Sequence, residues 1–221
     1  MAIDGKAAAG KSNCAALAKQ LGFASLDSGS IFRAATLLIL QAGVEHHNPS
    51  KVKDLLRREM PRVSFQGNDI ALDGHVLGDE IRTPEVSRLV PWISKHHEVR
   101  EIIVPIQREF ARGRNLVAEG RDMTSVVFVD ANVRIFLTAD LETRALRRFN
   151  QYKGKNPHTT ITLKEVLDEL VARDHEDETR PHSPLVHLPG VELIDSTHMT
   201  KAEVVAAMFN LCQEKDMMRT G

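Results

Sequence analysis

Residues Gly5, Lys6, Ala7, Ala8, Ala9, Gly10, Lys11 and Ser12 follow the spacing G-x-x-x-x-G-K-S, that of a phosphate-binding P-loop. The chemistry asks for these types. Gly5 and Gly10 have no Cβ to obstruct positive φ, so the backbone can curl and turn its N–H groups inward. Lys11 reaches the outer phosphates as a point charge, and Ser12 offers a hydroxyl to magnesium. From Asn13 the chain reads as a helix, whose N-terminus adds partial positive charge beneath the phosphates. Arginines form the second set. Arg33, Arg100, Arg121, Arg147, Arg148, Arg173 and Arg180 each fall near a loop assigned to the ligand side. Phosphoryl transfer needs fixed cations of this kind, because two phosphate-bearing substrates repel and the transferring oxygens gather charge. For Arg147 and Arg148 a solvated helix face is the competing reading. Glu119, ending a strand, suits magnesium held through water, with a surface carboxylate as the alternative. His46-His47 and His96-His97 lack accompanying ligands and read as surface histidines. Cys14 reads as a small buried residue rather than an activated thiol.

A strand, a loop and a helix must frame the P-loop. Met1 to Gly5 reads as the stub of a strand, short enough that an upstream start is expected. Cys14, Leu17, Ala18 and Leu21 recur at helical spacing. Phe23 to Leu26 is a second strand, followed by Asp27-Ser28-Gly29-Ser30, where Ser28 or Ser30 would cap a helix over Ile31–Ala42. Lys51 to Met60 is a shorter helix. Short β-like runs at 63–65, 70–72 and 75–76, with the turn signal Asp73-Gly74, predict a small antiparallel insert. Helices follow from Pro84 and over 97–112, then strands at 115–118 and 133–137. A helix over 141–152 carries Arg144, Arg147 and Arg148. Lys153 to Thr160 reads as a mobile loop. Thr162 and Glu165 fit a capping box for a helix to about Arg173, which the charged stretch to Arg180 continues. A strand to Asp195 and a helix over 202–212 close the chain. Strands alternating with helices predict an α/β fold with a central parallel sheet, whose ligands bind at the C-terminal strand ends.

Bulk composition is that of a globular chain of 221 residues, 42% hydrophobic and 27% charged, with net charge −1. That balance argues against a nucleic-acid or membrane-surface partner recruited by bulk charge. Cys14 and Cys212 make no disulfide framework, which predicts a reducing, cytoplasmic setting, and no signal peptide is recognised. No long exposed apolar stripe is left over, so a monomer is expected.

The motifs together resemble bacterial cytidylate kinase, of the P-loop nucleoside monophosphate kinases, nearly end to end. Ile3-Asp4-Gly5 with the P-loop is similar to the family's opening, and Leu26 to Arg33 to its acceptor-phosphate motif. Asp79 to Val86, Glu98 to Glu101, Glu119 to Met123, Val126 to Phe128, Ile135 to Ala139 and Arg173-Asp174-x-x-Asp177-x-x-Arg180 follow in family order. The resemblance implies a P-loop NTPase three-layer fold. Its core would be about 1–30, 100–147 and 175–221, its acceptor-binding insert about 31–99 and its lid about 148–174. It implies that ATP, bound by Gly5 to Asn13 with Mg²⁺, phosphorylates CMP and dCMP. Arg33 and Arg121 would hold the acceptor phosphate with Ser28 nearby, Arg100 and Asp122 would read cytosine, and Arg173 and Asp177 would meet the ribose. Lys11, Arg121, Arg148 and Arg180 would act on the transferring phosphate. Lys6, Phe32, Pro91, Thr124, Ser125 and Val129 depart from the family's usual residues. A kinase for UMP, shikimate or dephospho-coenzyme A, or an ATP-binding protein without turnover, are the alternatives.

Overall fold

The computed structural model describes the backbone of residues 1–220 and the side chains of residues 1–215. The chain begins with β1 (Ala2–Gly5), α1 (Cys14–Leu21), β2 (Ala24–Asp27), α2 (Ser28–Gln41) and α3 (Pro49–Glu59). Next come β3 (Val63–Gln66), β4 (Asp69–Leu72), β5 (His75–Val76), α4 (Pro84–Ser94) and α5 (His97–Ala111). It finishes with β6 (Leu116–Gly120), β7 (Arg134–Thr138), α6 (Leu141–Lys155), α7 (Leu163–Thr179), β8 (Glu192–Asp195) and α8 (Lys201–Thr220). Five strands make a central parallel sheet in the order β2-β6-β1-β7-β8, and β3-β4-β5 make a separate antiparallel one. This is the α/β arrangement that the alternation of strands and helices predicts.

Two compact units divide the chain, residues 1–22 with 119–221 and residues 23–118. In the first, β1 runs parallel to β7 from Ala2 opposite Arg134 to Gly5 opposite Leu137, and β7 runs parallel to β8. Helices α6 and α7 pack on each other through Ala145, Val166 and Leu170, and Ala7 of the P-loop joins that cluster. Thr162 and Glu165 close a reciprocal capping box at the start of α7. In the second unit, β4 and β5 turn through Asp73 and Gly74, both at positive φ, the conformation a tight two-residue hairpin requires.

Several boundaries differ from expectation for physical reasons. Asp27, not Ser28 or Ser30, caps α2: its carboxylate accepts from Ser30 N–H and Oγ–H, and an anion outcompetes a hydroxyl at a helix N-terminus. Helix α6 runs through Gly154 to Lys155, into the predicted loop, with Lys153 and Lys155 favourably placed in its last turn. Helix α8 continues past Cys212 through strong helix formers that carry no apolar periodicity.

Candidate active site

Strand β1 delivers Gly5 to the P-loop, and the reason for glycine there is space rather than φ. A Cβ on Gly5 would lie 2.3 Å from the Leu137 carbonyl oxygen on β7. Gly10 does take positive φ, at 109°, and so does Ala8, at 59°. The loop is braced on several sides. Lys6 N–H donates to Leu137 O at 3.3 Å, Ser196 Oγ to Ala9 O at 2.8 Å, and Arg144 Nη1 to Ala7 O at 3.3 Å. Lys11 lies on a short 3₁₀ turn ahead of α1 and folds Nζ back onto Gly5 O at 2.6 Å and Lys6 O at 2.7 Å. Ser12 beside it is exposed.

A buried carboxylate collects arginines next to this lysine. Asp177, on α7, accepts from Arg121 Nε at 2.8 Å and Arg173 Nε at 3.1 Å, with Arg180 Nη1 at 3.6 Å. Its side chain is only 3% exposed. Burial alone would raise its pKa, but the three guanidinium groups outweigh burial and hold it below the usual carboxylate range. Lys11 feels the same cluster. Burial, then the Arg121 charge, pushes its ammonium down to about 7, against the pull of Glu119 and Asp177. Three permanent cations against one carboxylate leave surplus positive charge, the field a polyphosphate needs. Along the stretch Arg173 to Arg180, Asp174, Asp177 and Arg180 are buried, while His175, Glu176, Glu178 and Thr179 are exposed.

The loop carrying Arg121 and Asp122 hangs from the end of β1. Asp4, fully buried, accepts Met123 N–H at 2.8 Å, Thr124 N–H at 2.7 Å and Thr124 Oγ–H at 2.7 Å. The buried Asp122 then opens a wide π-type turn over Met123–Val127, its carbonyl accepting from Val126 and Val127 at 3.0 Å each. The Thr124 hydroxyl thus adds a third hydrogen bond from this loop to Asp4.

Within the second unit, Ser28 is buried and its hydroxyl accepts from Gln107 Nε2 at 2.7 Å. Arg33 Nη1 donates to Ser87 Oγ at 2.9 Å and Ile81 O at 3.3 Å. Arg100 is buried, donates Nε to Ser94 O at 2.7 Å, and lies over the Phe32 ring at 5.2 Å. Phe32 thus supplies a ring face under the guanidinium. Pro91 sits inside α4, its carbonyl accepting from Ser94 Oγ at 3.0 Å. His47 and His97 are exposed and His46 and His96 partly so, and the rings of His46, His47 and His96 all lie within 5.1 Å of Trp92.

Comparison with known proteins agrees with this geometry. A family model described as cytidylate kinase matches residues 1–214. The chain belongs to the cytidylate kinase family. It is 42% identical over 210 residues to the cytidylate kinase of Caldanaerobacter subterraneus, covering 95% of this chain and 92% of that one. It is 38% identical to that of Fervidobacterium nodosum, covering 97% and 96%, and 38% identical to that of Clostridioides difficile, covering 93% and 94%. Members of the cytidylate kinase family are phosphotransferases, and the P-loop fits ATP as donor.

The remaining residues sort by placement. Lys11, Arg121, Arg173, Asp177, Arg180 and Glu119 act on one another through short contacts or through charge. Arg148 instead lies over the Tyr152 ring at 4.6 Å, with Gln151 Oε1 at 3.5 Å from its Nη1. Sequence reasoning missed Asp4, Arg144 and Ser196. Only tertiary proximity gives them roles, although a buried-type position for Arg144, beside Ala145 on the apolar side of α6, is a signal the helical period carries. Arg147, read as a phosphate-facing arginine or a solvated one, clamps the segment after β8 instead, donating to Ser196 and Met199. Among the described residues no group of three His, Cys, Asp or Glu could hold a metal, and no helix is long and apolar enough to cross a membrane.

Proposed function

We propose that this chain transfers the γ-phosphoryl of ATP to the 5′-phosphate of CMP or dCMP, giving CDP or dCDP. The observation that carries it is the trio of arginines on Asp177, set beside the P-loop lysine in a member of the cytidylate kinase family. The acceptor phosphate has a second pKa of about 6 and so carries its nucleophilic charge at neutral pH. No side chain need remove a proton, and catalysis is alignment and charge stabilisation. Lys11, Arg121, Arg148 and Arg180 supply cations to the transferring oxygens. Gly5 to Asn13 cradle the donor. Arg33, Arg121 and Ser28 hold the acceptor phosphate, and Arg173 and Asp177 the ribose. Arg100 and Asp122 read cytosine, whose amino group donates and whose N3 and O2 accept. Uracil would set a carbonyl against Asp122, acceptor to acceptor, and be disfavoured.

Magnesium fits the donor side chemically: the Ser12 hydroxyl is exposed at the loop, and the Glu119 carboxylate stands near enough to Lys11 to raise its pKa. When bound it neutralises charge on the donor phosphates. Residues 31–99 serve as the acceptor-binding insert and 148–174 as a lid whose closure excludes water. The enzyme works as a cytoplasmic monomer on small nucleotides, without a nucleic-acid partner.

The test is nucleoside diphosphate formation from MgATP with CMP, dCMP, UMP, AMP and no acceptor side by side. Turnover with CMP and dCMP well above UMP is expected. Preference for another acceptor would move the specificity, and ATP binding without turnover would overturn the catalytic reading.

A further inference from the structure

A buried ion pair holds one peptide of the P-loop from outside. Arg144, on the first turn of α6, has a side chain 4% exposed and bonds Nη1 to Asp174 Oδ2 on α7 at 2.7 Å. The same nitrogen donates to Ala7 O at 3.3 Å, while Nε donates to Ala139 O at 3.0 Å. Lys6 Nζ stands 3.9 Å from that Asp174 oxygen and 2.8 Å from Glu178 Oε1. Asp174 Oδ1 is buried with no hydrogen-bond partner among the described residues, so the carboxylate is committed to Arg144 and Lys6.

The next residue, Ala8, sits at φ 59°. A left-handed alanine is strained and persists only where its surroundings over-determine it. In a trans peptide the carbonyl of one residue and the N–H of the next point to opposite sides. A donor that fixes the Ala7 carbonyl toward α6 and α7 therefore turns the Ala8 N–H away from them.

We propose that Arg144 and Asp174 are positioning residues of the donor site: they hold the Ala7–Ala8 peptide in its strained orientation, with the Ala8 N–H presented to the donor polyphosphate. The inference rests on the reading of the P-loop as the ATP site. Neither residue need touch ATP. Lys6 adds charge to the same hold, tying the loop to the helix that carries Arg173 and Asp177 and ends just before Arg180.

The test uses the full chain with Asp174→Asn, which keeps shape and removes charge, and Arg144→Lys as a second variant. ATP and CMP dissociation constants are measured separately by calorimetry, and backbone chemical shifts are read at Ala7 and Ala8. Asp174→Asn is expected to weaken ATP roughly tenfold, as losing a charged hydrogen bond does, to leave CMP within about twofold, and to move Ala8 out of the left-handed region. Adding Ala8→Gly, which adopts that region without strain, is expected to restore most of the ATP affinity. A merely structural role would weaken both ligands alike, with unchanged Ala8 shifts and no rescue, and that pattern overturns the proposal. A wild-type chain that fails to bind ATP would sink the donor reading instead. The Ala7 and Ala8 shifts of Asp174→Asn would still decide the hold on the peptide.

Discussion

Arg121 Nε donates to Asp177 Oδ2 at 2.8 Å, across 56 residues of sequence, and Arg173 and Arg180 approach the same carboxylate. One anion thereby orders three cations that would otherwise repel.

That dependence has a pH signature. Asp177 is held below its ordinary value of 3.8 in the folded chain. A depressed carboxylate contributes stability that is full above the unfolded value and lost as pH falls below it. The wild-type melting temperature should therefore drop below about pH 4 more steeply than that of Asp177→Asn. The variant should be less stable at neutral pH by roughly 3–5 kcal/mol, because it leaves buried guanidinium charge uncompensated. Melting curves from pH 7 down to pH 2.5 decide it. Parallel acid limbs would mean that Asp177 is not the titrating group.

Lys11 carries the same sign of linkage in a higher pH window. Its folded pKa, about 7, lies below the ordinary 10.5, so the unfolded chain binds more protons between those values and stability rises with pH across them. A polyphosphate favours the ammonium form, so ATP binding at pH 8 should take up a proton. Calorimetry in buffers of different ionisation heat measures that uptake, which Lys11→Ala should abolish. The same substitution should cut turnover by at least about a thousandfold while the fold survives. Near-normal turnover would remove Lys11 from the chemistry.

Thr124 and Asp4 make a third case. Thr124→Val keeps the shape but leaves the buried Asp4 carboxylate short of one donor, at about 1–3 kcal/mol. Thr124→Ser should recover most of the loss in urea unfolding. Equal stability of the valine and threonine forms would show that the hydroxyl contributes little.

At Gly5 the constraint is steric. Gly5→Ala would drive a methyl into the Leu137 carbonyl, backbone that cannot rotate away. We expect a loss of about 3 kcal/mol or more, read as a lower denaturation midpoint, whereas Gly154→Ala would not clash, because nothing lies within 4 Å of its Cβ position and its φ is not positive.

What was legible in the sequence is what is contiguous in it. The P-loop, the Asp73-Gly74 hairpin and the Thr162–Glu165 capping box declare themselves over a few residues, because local geometry alone demands them. Arg173, Asp177 and Arg180 share one helix face by their spacing, so their convergence could be anticipated. Asp4, Arg144 and Ser196 could not be anticipated in the same way. An aspartate ending a strand, an arginine on a basic helix and a serine in a loop have many ordinary uses, and only the fold brings them onto the P-loop and the Arg121–Asp122 turn. Gly5 was identified for the wrong reason, since a motif records that glycine is needed and not whether φ or a neighbouring strand requires it.

The pairing of β1 also bears on how the chain is made. Its residue Asp4 waits for Met123, 119 positions later, and its neighbour β7 follows that. At ribosomal speeds of about 5–20 residues per second, β1 spends on the order of ten seconds without these partners. Contacts this distant in sequence slow folding, because loop closure must precede the reward of pairing. The phosphate-binding loop can therefore take its final form only after Met123 and β7 have been synthesised, and until then β1 stays an unpaired strand.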